Sequence, residues 1–521
     1  MSQCLTNSSG TFRRFSVALV FVIGFTLASC THVPFNFPKT ASYASTLPKR
    51  STTFIEAEEL IRGHGGKSAF IPLVEGNDAL GARLKLIEAA EHSIDAQYFL
   101  IKPDSAGSLF SLALINAAER GVRVRLLVDD VFTTANDEQL AYLSSYDNIE
   151  VRIFNPLSRN STKAMNFVLD FGRVNRRMHN KSLTIDNAMS IVGGRNIAEE
   201  YFQINTNAEF ADFDLFCAGP VARKITAAFD IFWNDPLAVP IEAFVSMPTE
   251  IKRQDTRARI EEKTRQATLG VYQRAINSRY LRDISAGKVQ LDYANVQVVT
   301  DDPDKLRTPV RDGERLVADA IRREMEHATS EVTIITPYFV PRKEGVKFYK
   351  TLSARGVRVR VITNSLASTN HAYVHGGYAP YRKELLKAGV ELYEVRADAP
   401  EVLGEVLSGS DIKLTMHSKA ALFDRKRMFV GSLNFDPRSI EINTELGLII
   451  ADRRMVSKIA GSLEKGLRDY TYRVELGEDG KLTWTYSGAG LSEVLVSEPG
   501  AGIVSKTVSW ITRVLPVEGQ L

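Results

Sequence analysis

A chain of 521 residues with 44% apolar and 24% charged side chains has the composition of a folded protein and enough length for two α/β units, which excludes an extended disordered class. Its formal charge of +3 lacks the strongly basic balance of proteins that track a polyphosphate backbone, which weighs against nucleic acid as the partner. Three cysteines, Cys4, Cys30 and Cys217, are too few for a disulfide framework.

In chain order, Arg13-Arg14, the apolar stretch Val17 to Ala28 and Leu27-Ala28-Ser29-Cys30 predict a signal peptide over residues 1–29. The last four resemble a bacterial lipobox, which implies lipidation of Cys30 and a lipoprotein anchored in the cell envelope facing the periplasm. The alternative is an ordinary signal peptide or an uncleaved anchor. Residues 30–52, rich in Pro, Ser and Thr, are expected to be a tether. A first unit over 53–249 holds a strand at Ile94 to Phe99, a helix from Leu109 to Arg120 ending at Gly121, and an apolar strand at Val122 to Val128. Residues 250–290, dominated by Arg, Lys, Gln and Glu, read as a solvated helical connector. A second unit over 291–475 repeats the pattern with Val332 to Thr336, Gly345 to Arg355 and Val357 to Thr363.

The tail, 476–521, carries Ile503, Val504, Val508, Trp510, Ile511, Val514 and Leu515 at helical spacing, with Lys506 and Arg513 between them. An amphipathic helix of this kind either packs its apolar side on the body or lies in a membrane interface, and packing is the simpler expectation. Strand, helix, strand in each half predicts an α/β fold of two homologous units, each a mixed sheet flanked by helices. The duplication is visible in Ala118-Glu119-Arg120-Gly121-Val122-Arg123-Val124-Arg125 against Ser353-Ala354-Arg355-Gly356-Val357-Arg358-Val359-Arg360.

The informative repeat is His-x-Lys-x4-Asp, present as His179, Lys181, Asp186 and again as His417, Lys419, Asp424. An Asn follows 17 residues after each His, at Asn196 in Gly193-Gly194-Arg195-Asn196 and Asn434 in Gly431-Ser432-Leu433-Asn434. One such His is more often a core side chain. Two with matched followers predict one site assembled from both halves, so no oligomer is required to complete it. On a strand, His and Lys two apart face the same side, setting an imidazole beside an ammonium. A phosphodiester calls for such a set: a group that titrates near neutrality, and fixed cations for the non-bridging oxygens. Asp186 and Asp424 fall where hairpin turns are expected and read as structural. Two lysines in the pocket would repel a cation, and neither His has partners at ligand spacing, so neither metal nor other cofactor is expected.

The doubled motif resembles the phospholipase D superfamily over nearly the whole mature chain. More narrowly, Glu200-Tyr201-Phe202, Asn434-Phe435-Asp436-Pro437-Arg438-Ser439, Asn443-Thr444-Glu445-Leu446-Gly447 and the closing Leu515-Pro516-Val517-Glu518-Gly519-Gln520-Leu521 are similar to C-type bacterial cardiolipin synthases. The resemblance implies a phosphatidyltransferase acting on membrane phospholipids through a phosphohistidine, with His179 as nucleophile and His417 as acid/base. Hydrolysis to phosphatidic acid and a nuclease are the alternatives. Lys181, Lys419, Asn196 and Asn434 would hold phosphoryl oxygens, Ser432 adding a hydroxyl that Gly194 lacks. An acid is implied behind each imidazole: Glu445 for His417, and for His179 Asp212 or, failing that, Asp214.

Overall fold

The computed structural model describes residues 32–44, 51–204, 208–403, 412–515 and 517–521. The expected signal peptide and Cys30 lie outside them. The first half contributes β1 (Ser68–Leu73), β2 (Ser93–Tyr98), β3 (Arg123–Asp129), β4 (Ile149–Phe154), β5 (Ser182–Ile185), β6 (Met189–Gly193), β7 (Ala208–Ala211), β8 (Asp214–Ala218) and β9 (Ala238–Pro240). The second contributes β10 (Asp292–Thr300), β11 (Glu331–Ile335), β12 (Arg358–Asn364), β13 (Glu391–Val395), β14 (Lys413–Met416), β15 (Ala420–Phe423), β16 (Arg427–Gly431), β17 (Leu446–Ala451), β18 (Thr471–Leu476), β19 (Leu482–Gly488) and β20 (Leu491–Leu495).

The two sheets have matching orders, β1-β8-β6-β5-β2-β3-β4-β9 and β10-β17-β16-β15-β11-β12-β13-β18. In each, three parallel strands (β2, β3, β4 and β11, β12, β13) sit inside an antiparallel surround, as a mixed sheet requires. The duplicated segment explains the parallel part. Helices Ser105–Glu119 and Arg342–Ala354 stop at Gly121 (φ 93°) and Gly356 (φ 82°), whose left-handed backbone a side chain would strain, and the next strand starts at once. β3 and β12 are apolar runs because helices cover both faces of the sheet.

Antiparallel pairing of β1 with β10 joins the sheets edge to edge. One hydrophobic cluster then takes members from both: Phe70, Val192 and Leu215 pack with Leu422, Val430 and Leu448 under helices Pro220–Asn234 and Arg453–Tyr470. The halves therefore share a core, and shared burial holds their facing edges in a fixed relation.

Three expectations about the flanking segments need correction. Residues 32–44 are not a free tether but a strap on the first half. Lys39 Nζ donates to the carbonyls of Asp235 and Ala238 at 2.5 and 2.6 Å, Arg152 donates to Thr40 O at 2.7 Å, and Trp233 Nε1 donates to Ser42 Oγ at 2.9 Å. Extended chain rich in Pro and Ser looks solvated until distant side chains satisfy its backbone groups. The connector is also docked. Val271, Ala275 and Leu281 are buried in the first half's core, and a Cβ on Gly81 would stand 2.2 Å from Ala275 O, so helix Gly76–Ala89 needs glycine there. The tail, finally, begins by extending the second sheet with β19 and β20. Its helix Ile503–Val514 packs through Ser509 and Thr512, leaving the apolar side outward, the reverse of the simpler expectation. Among the described residues no helix is long and apolar enough to cross a membrane.

Candidate active site

Both histidines lie on short segments that cross between the halves. β7 runs parallel to β14, with Ala211 opposite Met416, and His417 N donates to Ala211 O at 2.7 Å. The symmetric contact is a parallel bridge between Met178 and Thr444, where His179 N donates to Thr444 O at 2.9 Å and Thr444 N to Arg177 O at 3.0 Å. The residue after Ala211 is Asp212, and the residue after Thr444 is Glu445. Parallel pairing therefore places each half's acid beside the other half's imidazole. His417 Nδ1 lies 2.7 Å from Asp212 Oδ2, and His179 Nδ1 lies 3.0 and 3.1 Å from the Glu445 oxygens.

This corrects the expected assignment, in which each acid served the His of its own half. Spacing along one chain cannot report a partner reached through interunit backbone pairing. Asp214, the alternative acid, serves neither His; it accepts from Arg83 at 2.9 Å and Arg195 at 3.3 Å in a buried ion cluster.

Two polar residues that the sequence reading missed hold the crossing segments from below, at the ends of β3 and β12. Asp129 accepts from Arg177 Nε at 2.9 Å and Met178 N at 3.1 Å. Asn364 accepts Met416 N at 2.9 Å and donates to Met416 O at 2.8 Å. The available signal was a polar residue closing each of two matched apolar strands.

The His-x-Lys segments precede strands rather than lie in them, since β5 starts at Ser182 and β15 at Ala420. Imidazole and ammonium still converge. Lys419 Nζ is 2.8 Å from His417 Nδ1 and 3.2 Å from Nε2, while Lys181 Nζ donates to His179 O at 2.6 Å. Asn196 Nδ2 donates to Tyr201 Oη at 2.9 Å, and the amide oxygens of Asn196 and Asn434 are buried with no protein partner. Phe99 stands edge-on to His179 at 4.8 Å; Phe210 stacks on His417 at 5.2 Å and Tyr201 meets it edge-on at 5.1 Å. These rings, also missed, fix the imidazole planes, and no spacing rule identifies them.

Burial and the paired ammoniums set the electrostatics. Burial, then Lys181 and Lys419, hold His179 well below its ordinary value; burial and Lys419 bring His417 down to about 3. Burial likewise lowers Lys181 to about 7 and Lys419 to about 8. The two acids diverge. Burial pushes both up, but Lys419, His417 and Arg195 outweigh it at Asp212, holding it at about 2, whereas Glu445 rises to about 7 despite Lys181 and Ser432. Asp212 is thus the firmly ionised member. An entering phosphodiester anion would offset the two lysines and favour protonated imidazole.

Ser432 corrects a further expectation. Its hydroxyl donates to Glu445 Oε2 and accepts Leu446 N at 3.0 Å, so it supports the acid rather than the phosphate. At the matching position in the first half, a Cβ on Gly194 would stand 2.3 Å from Asp212 Oδ1. The shorter acid thus packs directly on glycine where the longer one takes a serine. Gly194→Ala is expected to displace Asp212 and lower turnover by about ten- to ten-thousand-fold, the range for an impaired acid/base, with little change in thermal unfolding; unchanged turnover would show that Asp212 tolerates the shift.

Asp186 and Asp424 sit in left-handed backbone at the hairpin turns, with φ 47° and 52°. Asp186 accepts from His92 N at 2.7 Å and Ser93 N at 2.9 Å; Asp424 accepts from Thr329 N, Ser330 N and Glu331 N at 2.8 to 3.1 Å. Each pins the turn to the start of β2 or β11. Those bonds hold the Asp424 carboxyl well below its usual range against the upward push of burial. A depressed folded value means stability present above about pH 4 and lost as pH falls toward the folded value. Asp424→Asn is expected to cost about 0.5–1.5 kcal/mol at pH 7 in denaturant unfolding, the range for hydrogen bonds open to solvent, and to flatten the acid limb.

Among the described residues, His375, Glu394 and Glu498 form a cluster of metal-ligand type. Arg382 already occupies it, at 2.8 Å from Glu394, 2.6 Å from Glu498 and 2.7 Å from His375 Nε2, so a guanidinium takes the cation's place. His179 and His417 are not members.

Two imidazoles with Nδ1 on carboxylates, ammoniums beside them and a shared core behind them define a two-unit site built for displacement at a phosphodiester. A family profile described as "Cardiolipin synthase, PLD-like domain" matches residues 84–233 and 321–466, once per half. Cardiolipin synthase C of Escherichia coli (strain K12) is 34% identical over 467 residues, covering 87% of this chain and 96% of that protein. An uncharacterized protein of Helicobacter pylori (strain ATCC 700392 / 26695) is 29% identical over 453 residues, 86% of this chain and 89% of that one. The crystal structure of phosphatidylserine synthase from Haemophilus influenzae Rd KW20 superposes with a TM-score of 0.57 over 90% of this chain and 100% of that chain; at 12% identity it is a likeness of fold. The chain belongs to the cardiolipin synthase family of phospholipase D-like proteins.

Proposed function

We propose that the protein is a phosphatidyltransferase that joins the phosphatidyl group of one phospholipid to the alcohol of another, forming cardiolipin. The observation that carries the mechanism is the crossed pair of imidazole–carboxylate contacts, which engages both Nδ1 atoms, so that chemistry falls to the two Nε2 atoms, that of His417 with Lys419 Nζ beside it at 3.2 Å. His179 Nε2 attacks phosphorus, the bond to the departing alcohol breaks, and His417 gives that oxygen its proton. His417 then takes the proton of the acceptor alcohol, whose oxygen attacks phosphorus and breaks the P–N bond, restoring His179. The acid/base role suits His417 because Asp212 behind it stays ionised and stabilises the imidazolium. Lys181 and Lys419 hold the phosphoryl oxygens, and the partnerless amide oxygens of Asn196 and Asn434 suit a donor such as the acceptor hydroxyl.

The test supplies the purified protein with phosphatidylglycerol labelled in its acyl chains. Label entering cardiolipin is the expected result; label collecting only in phosphatidic acid would replace the transferase reading with hydrolysis. We further propose that Cys30 is acylated and holds the enzyme to the cell envelope, a reading supported by Arg13-Arg14, the apolar stretch and the lipobox-like Leu27-Ala28-Ser29-Cys30. Cells fed labelled palmitate should incorporate label into this protein and not into its Cys30→Ser variant; a parent chain that takes up no label would refute acylation.

A further inference from the structure

The tail helix Ile503–Val514 is seated unusually for an amphipathic helix. Its small polar side faces the protein: Ser509 and Thr512 are buried against helix Ala372–Tyr378, where a Cβ on Gly376 would stand 2.5 Å from Ser509 O. Its apolar side faces out, with Val504 77% and Trp510 61% exposed and Ile503, Ile511 and Val514 also exposed. The helix contains Lys506 and Arg513 and no acidic residue. An apolar stripe with only basic charge is a poor match for water and a good one for an anionic lipid surface.

A second exposed apolar group lies on the first half, where Met165, Val168 (73% exposed) and Phe171 project from helices Lys163–Leu169 and Phe171–Val174. The two groups are tied across the boundary between the halves. Asn175, just after the second of these helices, donates to Gln520 Oε1 at 2.6 Å, and Arg438 donates to Asn175 O at 3.1 Å and Gln520 O at 2.8 Å. From the first-half group an aromatic path leads inward. Lys163 Nζ donates to Val131 O at 3.3 Å; the exposed ring of the next residue, Phe132, is 5.2 Å from Phe99, itself 4.8 Å from His179. From the second, exposed Tyr373, on the helix Ala372–Tyr378 that the tail helix packs against, lies 5.2 Å from the ring of His371, which is 5.4 Å from that of Tyr338.

We infer that the tail helix and the 163–171 helices together are the surface by which the enzyme sits on an anionic phospholipid bilayer, with the mouth of the cleft between them facing the lipid. This deepens the proposed function and rests on it for the identity of the substrate. The geometry gives it a purpose: a phospholipid leaving the bilayer at Phe132 or Tyr373 keeps its acyl chains on apolar side chains while its phosphate reaches the paired lysines.

Trp510 is an internal reporter, because the other two tryptophans, Trp233 and Trp484, are buried. Adding phosphatidylglycerol vesicles to the full chain should shift Trp510 emission to the blue and expose it to quenching by brominated acyl chains, and Trp510→Phe should abolish both signals. In Val504→Glu/Val514→Glu, which keeps the reporter, the lipid needed for half-maximal quenching should rise more than about tenfold, with an equal loss of turnover on vesicles. Turnover of a short-chain, monomeric phosphatidylglycerol should be unchanged. Vesicles that leave Trp510 unquenched, or a double variant that titrates like the parent, would overturn the surface. Normal quenching with no turnover of either substrate would support the surface and sink the phosphatidyltransferase reading instead.

Discussion

Replacing His179 by Ala, or His417 by Ala, is expected to lower turnover at least about a thousand-fold each, because a nucleophile and an acid/base acting as a unit cannot substitute for one another. Each imidazole is backed by its own carboxylate and set by its own rings, Phe99 for His179 and Phe210 with Tyr201 for His417, so neither swings into the other's place. The two losses should nevertheless differ in kind. In His417→Asn the attack on phosphorus is slowed but not forbidden, whereas release to the acceptor alcohol has lost its base. A phosphatidyl group should accumulate on the protein, labile to acid and stable to alkali as a phosphoramidate is, and peptide mapping should place it on His179. Label on His417 in the reciprocal variant, and none on His179, would exchange the two roles while leaving the two-step displacement intact.

The second large effect follows from the crossed acids. Asp212→Asn should lower turnover by about ten- to ten-thousand-fold through His417, and Glu445→Gln by a similar factor through His179. What separates this from acids serving their own halves is the identity of the imidazole disturbed. With uniformly ¹⁵N-labelled protein, Asp212→Asn should shift the ring nitrogens of His417 and leave those of His179 nearly in place; Glu445→Gln should do the opposite. The opposite pattern would mean that the bridge of Met178 with Thr444 and the pairing of β7 with β14 do not carry the acids where the contacts place them. The two substitutions should also differ in their dependence on pH. Asp212 is ionised throughout the neutral range, but Glu445, raised to about 7 by burial, changes charge within it, so a carboxylate titration near neutrality, read from side-chain ¹³C shifts apart from those of Lys181 and Lys419, should survive Asp212→Asn and vanish in Glu445→Gln.

Much of this site was legible in one dimension. The duplicated His-x-Lys-x4-Asp with its following Asn marked the residues that meet in the cleft, because identical local chemistry at identical spacing folds to identical local geometry whichever half it is in. The same holds for Asp186 and Asp424, whose turns follow from backbone geometry within a few residues. Gly121 and Gly356, at the ends of matched helices, announced the parallel strands for the same reason.

What the sequence determined by itself, then, was the α/β repeat, the paired motif and the family of chemistry, all of which depend on short-range periodicity and spacing. What only the tertiary structure decided was everything that depends on which surfaces meet. Glu445 reaches His179 and Asp212 reaches His417 because backbone pairing runs between halves; Ser432 serves an acid because Glu445 lies over it; residues 32–44 are strapped down because Arg152 and Trp233 offer partners far along the chain. The tail helix makes the point most sharply. Its amphipathic pattern fixes two faces but not which one turns inward, and that was decided by Gly376, whose missing side chain admits Ser509 and Thr512 and leaves Trp510 to the outside.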